Sequence, residues 1–157
     1  MKKVAINVCF GGFSISAKAV KRIAELQGKE CYFFETSLSL GETKYKPTSL
    51  ENCENNFFWS AFTVPNPEEV LKHEKLWGDM TFEERREDSK KYELINLDVR
   101  PENREDPLLI QAIEELGEEA NGRCAKLKIV EIPDDVNYEI EEYDGNEHIA
   151  EVHQTWS

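Results

Sequence analysis

Apolar and other residues alternate over positions 3–10, with Val4, Ile6, Val8 and Phe10 on one side, and this period of two predicts a buried strand. Gly11 and Gly12 then turn the chain. Beyond them the period lengthens: Ala17, Val20, Ile23, Ala24 and Gln27 form one helical stripe, with Ser14 or Ser16 placed to cap the helix and Gly28 to stop it. A second strand is expected over 30–35, where Cys31-Tyr32-Phe33-Phe34 favours extended backbone. The amino end therefore reads as strand, turn, helix, strand.

Residues 37 to about 105 break this pattern. Positions 37–56 are polar, rich in turn formers and without sustained periodicity, and the aromatic island Phe57–Phe62 follows. Two short helices are expected next. One runs from a cap at Asn66, with Pro67 first and Glu69 in the first turn, to Gly78; the other opens with the capping box Thr81-Phe82-Glu83-Glu84 and reaches about Tyr92. The carboxyl third is clearer. Asp106 caps a helix with Pro107 at its first position and an apolar stripe of Leu109, Ala112, Ile113 and Leu116, ended by Asn121-Gly122. A strand follows over 125–132, with Leu127 and Ile129 on one side and Lys128, Val130 and Ile132 on the other. Asp144-Gly145 is a type I′ hairpin signal, and a two-residue loop there sets Ile140 opposite Ile149. The fold class expected is α+β: a single domain holding a small mixed or antiparallel sheet, a C-terminal β-hairpin packed on two helices, and a partly helical insertion at residues 37–103.

Length and composition narrow the picture without fixing a chemistry. A chain of 157 residues supports one core more readily than two, and 39% hydrophobic residues suffice to build it. No apolar run approaches the roughly 18 residues of a membrane span, and no signal peptide is read at the start. Four cysteines, Cys9, Cys31, Cys53 and Cys124, form no CxxC pair and are expected as reduced thiols in a cytoplasmic protein. The formal charge of −13 opposes direct nucleic-acid binding, which needs cations to displace phosphate counterions. It is compatible with a nucleic-acid mimic that binds a basic partner, with a soluble surface around a small-ligand pocket, or with solubility alone.

The candidate site begins at the glycine turn. A strand, Gly11-Gly12 and a helix starting with serines aim backbone amides and hydroxyls at one point, so Phe10, Gly11, Gly12, Phe13, Ser14 and Ser16 are candidate contacts for a phosphate or another anion. The stretch is neither a Walker loop nor GxGxxG, and a tight turn without ligand reads equally well. Arg100, Arg104 and Arg123 flank the third expected helix, and one of them, Arg104 being the candidate named, could supply the cation that completes such a site, or else they pair with surface carboxylates. Tyr143, His148, His153 and Trp156 would supply stacking rings and imidazoles, or else Trp156 packs the tail and the histidines lie on the surface. Cys9 beside His148 or His153 would make a small Cys/His enzyme, although its place in an alternating strand suits a packed thiol. The three histidines have no metal-binding spacing, and neither metal nor cofactor is expected.

The opening block INVCFGGFSIS and the longer block from Arg104 to Trp156, above all KIVEIPDDV, EEYDG and the terminal TW, resemble a family of small accessory proteins of tailed bacteriophages and prophages. The resemblance covers about residues 3–35 and 104–156. It implies a role in the host bacterial cytoplasm, where small phage proteins include anti-defence factors and sponges that sequester nucleotide immune signals without cleaving them. The expectation is a non-enzymatic binding protein for a nucleotide-like ligand, its expected partners being that ligand and a second copy in a homo-oligomer; an acidic inhibitor of a host protein is the alternative.

Overall fold

Residues 1–39, 42–55, 58–72, 77–97, 103–153 and 156 are described by the structure, a computed structural model. Two compact units divide the chain: Met1–Leu26 together with Arg100–Ser157, and the continuous stretch Gln27–Val99. All strand pairings are antiparallel among the described residues, and the architecture is α+β.

The first unit is built from both chain ends. Strand β1, Lys2–Asn7, pairs with a strand from the far end, Leu127–Ile132, with Ala5 opposite Ile129 and Asn7 opposite Leu127. The helix of Ala17–Leu26, α1, buries Ala17, Ala19, Val20 and Ala24; of the expected stripe Ile23 is half-buried against the core, and Gln27 is exposed beyond the end of the helix. Ser16 caps it, its Oγ accepting from Ala19 N at 3.2 Å. The helix of Pro107–Leu116 starts on Asp106, whose Oδ1 accepts from Leu108 N and Leu109 N, and it ends at Gly117 (φ 58°), not at Asn121-Gly122 as expected, a 3-10 turn at Gly117–Ala120 carrying the chain on. It closes the core formed by Ala5, Ala19, Leu109, Ile110, Ile113 and Ala120, with Leu127 and Ile129 packed against it. Residues 2, 4 and 6 face the other way, where Lys2 Nζ lies 4.9 Å from the Tyr138 ring of the hairpin. That hairpin, Tyr138–Tyr143 with Asn146–Glu151, has Ile140 opposite Ile149 as expected, and Asp144 and Gly145 both adopt positive φ, 50° and 86°.

The second unit corrects several expectations. The strand expected over 30–35 runs from Tyr32 to Ser39 (β2), and it does not join β1. It is the centre of a three-stranded sheet, between β3, Glu42–Pro47, and β4, Trp59–Phe62. This unit therefore starts at Gln27, before the insertion boundary read at residue 37. The polar stretch 37–56 is also more ordered than its composition suggests: it holds β3 and a short helix, Leu50–Glu54 (α2). Tertiary pairing overrides local pattern here, because β3 is mostly polar and its one ring, the half-buried Tyr45, packs edge-on against Phe62 at 5.0 Å. Phe34, Phe62 and Ile95 form the core. The helix expected from Asn66 to Gly78 is a single turn, Pro67–Val70 (α3), while residues 73–76 lie outside the described residues. The capping box is as expected, Thr81 Oγ1 accepting from Glu84 N, and its helix, Phe82–Ile95 (α4), runs one turn beyond Tyr92. In chain order the remaining elements are α5, Pro107–Leu116, then β5, Leu127–Ile132, β6, Tyr138–Tyr143, and β7, Asn146–Glu151.

Candidate functional site

Gly11 and Gly12 have φ of 137° and 91°, conformations that side-chain-bearing residues rarely adopt. The group that comes close to this turn is the chain's own backbone. Gly11 N donates to Asp144 O at 3.3 Å, and a Cβ placed on Gly145 would collide with Gly12 N and lie 2.8 Å from Gly11 N. On the other side a Cβ on Gly11 would lie 2.5 Å from Cys124 O. The tip of the β6–β7 hairpin is seated on the glycine turn.

A buried polar network holds it there. Asn7 has no exposed surface; its Nδ2 donates to Cys9 O at 2.7 Å and to Gly145 O at 2.8 Å, and its Oδ1 accepts from Lys126 N at 2.8 Å. Glu147, also buried, accepts from Asn7 N at 2.8 Å and from both terminal nitrogens of Arg104, at 2.8 and 3.1 Å. Arg104 Nη1 also donates to Ala5 O, and its guanidinium carbon sits 3.7 Å from the centre of the Phe13 ring. Two charges so enclosed are stable only when their donors and acceptors are filled, and here they are. No buried side-chain polar atom among the described residues lacks a partner.

Most of the candidate residues thus have internal work. Ser16 Oγ donates to Glu119 O at 2.6 Å besides capping α1, and Ser14 O accepts from Gly122 N at 3.0 Å. Arg104 reaches the vicinity of the turn, as expected, but as the partner of Glu147 and Phe13. Phe10 and Tyr143 behave differently. They adjoin the bonded pair Gly11 and Asp144, and they are 60% and 79% exposed. His148 is on the outer face of the hairpin, where its Nε2 meets Glu141 Oε2 at 2.9 Å; His153 and Trp156 are exposed in the tail, and residues 154–155 and 157 lie outside the described residues. Cys9 is half-buried, with its Sγ 3.5 Å from Phe10 O, and among the described residues no His is bonded to it.

Asn7 and Glu147 are the residues that sequence reasoning missed. Glu147 carried a signal, since the I′ register puts it on the same face as Ile149, whereas the alternation of Val4, Ile6 and Val8 set Asn7 on the opposite side of β1; in the fold both sides are covered, and Val4, Ala5, Ile6 and Asn7 are all buried.

A shallow depression of about 450 Å³ lies elsewhere in this unit, lined by Lys2, Lys3, Glu105, Pro107, Ile110, Gln111 and Glu114. Its charges are already matched. Lys3 bonds Glu114, which raises its pKa, Lys2 Nζ donates to Val136 O, and Tyr138 OH donates to Glu105. Burial, with that bond to Glu105, pushes the Tyr138 hydroxyl up. Among the described residues no group of three or more His, Cys, Asp and Glu could hold a metal ion, and no helix is long and apolar enough to cross a membrane. No family model, curated protein or solved structure matches the chain.

Proposed function

We propose that this is a non-catalytic binding protein that covers a cationic surface of another protein, using the hairpin tip as its anchor. One observation carries the reading: the hairpin tip is locked onto the glycine turn while the two aromatic residues beside that junction, Phe10 and Tyr143, stay largely exposed. Rigid aromatic anchors ringed by polar groups are the usual centre of a protein interface. The outer hairpin face adds the exposed carboxylates Glu139 and Glu141, with Glu142 and Asp144 close by in sequence, so the matching surface is rich in Lys and Arg. The resemblance to phage accessory proteins supplies the setting, a host defence protein in the bacterial cytoplasm.

Sequestration of a nucleotide-like ligand is the competing reading, since the same rings could stack on a base. It draws less support, because the Gly11 amide, the Ser16 hydroxyl and the Arg104 guanidinium it would use already bond within the chain. A photo-crosslinking residue at position 143, expressed in bacterial cells, identifies the partner, which is then purified and titrated directly. Phe10→Ala with Tyr143→Ala should weaken binding roughly 30-fold or more, the effect of losing an anchor worth about 2 kcal/mol. Glu139→Gln, Glu141→Gln and Glu142→Gln together should flatten its salt dependence. Saturable calorimetric binding of a nucleotide, with no protein captured at position 143, would replace this reading with sequestration.

A further inference from the structure

The backbone of β5 has two edges. Val8 N donates to Lys126 O at 2.8 Å, so the ladder turns the main-chain groups of Lys128, Val130 and Ile132 toward β1 and those of Leu127, Ile129 and Glu131 away from it. Leu127 N, on the outward side, is taken by Asn121 Oδ1 at 2.9 Å. The amides and carbonyls of Ile129 and Glu131 have no partner among the described residues.

Several other sheet edges are closed or defended. On β1, Ala5 N donates to Arg104 O, Ala5 O accepts from Arg104 Nη1, and Asn7 N donates to Glu147. On β3, Tyr45 N donates to Glu68 Oε1 at 2.7 Å. On β4, Ala61 O accepts from Leu97 N at 2.8 Å. Strand β6 exposes Glu139, Glu141 and Glu142, a row of like charges that opposes pairing with a copy of itself. The stretch around β5 is the reverse: Lys126–Ile132 holds two lysines and one glutamate in a chain of net charge −13. Two copies can meet there without the repulsion that the rest of the surface imposes.

We propose that the outer edge of β5 pairs antiparallel with β5 of a second copy of this chain. Because only Ile129 and Glu131 offer open groups, the register sets Ile129 opposite Glu131 of the second copy and Glu131 opposite its Ile129, which makes four hydrogen bonds. The two-fold axis then passes between the two Val130 residues, which face each other at a non-hydrogen-bonded position where side chains come closest. Two two-stranded ribbons become one four-stranded sheet, β1–β5–β5–β1. A two-stranded ribbon gains stability from added strands, and the open edge disappears.

Sedimentation velocity on the full chain across a hundredfold concentration range, with amide hydrogen exchange read at residues 129 and 131, tests the pairing. The wild type should dimerise, and both amides should become protected as the dimer fills. Glu131→Pro removes an amide that faces away from β1, so the β1–β5 ladder should survive, as far-UV circular dichroism can check, while dimerisation weakens at least 100-fold. Three results would overturn the proposal: a monomer at every concentration, a dimer that leaves the two amides unprotected, or protection that appears only with a different protein. Exchange in the wild type decides the matter even if the proline variant does not fold, and Tyr143→Ala, which tests the hairpin tip, should leave dimerisation unchanged.

Discussion

Replacing Asn7 with alanine removes three hydrogen bonds from a residue with no exposed surface. At about 1 kcal/mol net for each, and more where Lys126 N–H, Cys9 C=O or Gly145 C=O is left without a partner, the loss should reach about 3–5 kcal/mol. That is a large share of the roughly 5–15 kcal/mol by which domains are stable. Asn7→Asp separates hydrogen bonding from shape. Aspartate keeps the acceptor for Lys126 N, but it turns a second acceptor onto Cys9 O and Gly145 O, at distances where asparagine donates, and it adds a charge close to Glu147. The near-isosteric variant should therefore be no more stable than the truncated one at neutral pH, and it should recover as acid protonates the new carboxyl and restores a donor. Urea unfolding gives the total. Exchange of the amides of β1 and β5 reads the first unit itself, free of the second. If both variants lie within about 1 kcal/mol of wild type, or Asp is clearly better than Ala, the polar network is not what holds the hairpin to β1.

The glycines at the junction should differ in their tolerance of a side chain. Gly145→Ala drives a Cβ into Gly12 N and should detach the hairpin tip, exposing the Asn7 and Gly11 amides to exchange, whereas Gly12→Ala has open space around its Cβ and carries only the strain of φ at 91°, about 1–2 kcal/mol. Alkaline pH should destabilise the second unit. Burial pushes the Cys53 thiol from 9.0 to about 11 and the Tyr45 hydroxyl from 10.0 to about 12, so the folded chain keeps protons that the unfolded chain has released. Their contribution is whole below pH 9 and is lost as pH rises through the folded values, and a denaturation midpoint that stays flat from pH 9 to 11 would refute it.

Local order was easier to read in the sequence than pairing. The stripes of α1 and α5, the Asp106 cap and the Asp144-Gly145 turn are set within a few residues, and each took the expected form. Strand partners are chosen across the chain, and that information is not local: Cys31-Tyr32-Phe33-Phe34 signals a strand without saying that β3 and β4 flank it. The candidate site shows the same division. The glycines did mark a close approach, but nothing near residue 11 indicates that the approaching group is residue 145 of the same chain. Arg104 was legible as a cation near the turn, whereas its neutralisation depends on Glu147, 43 residues away.

Joining both chain ends in one unit has a consequence during synthesis. As the polypeptide leaves the ribosome, β1 emerges first, yet its partner β5 and the hairpin that holds Asn7 come only after more than a hundred further residues. Gln27–Val99 is continuous and needs nothing from the carboxyl end for its own strand pairings, so it can fold while the nascent chain is still growing. The apolar Val4-Ala5-Ile6 segment must wait through that interval unpaired. Closing so long a loop is slow in folding terms, so the β1 segment stays open to chaperones and proteases until β5 has been made.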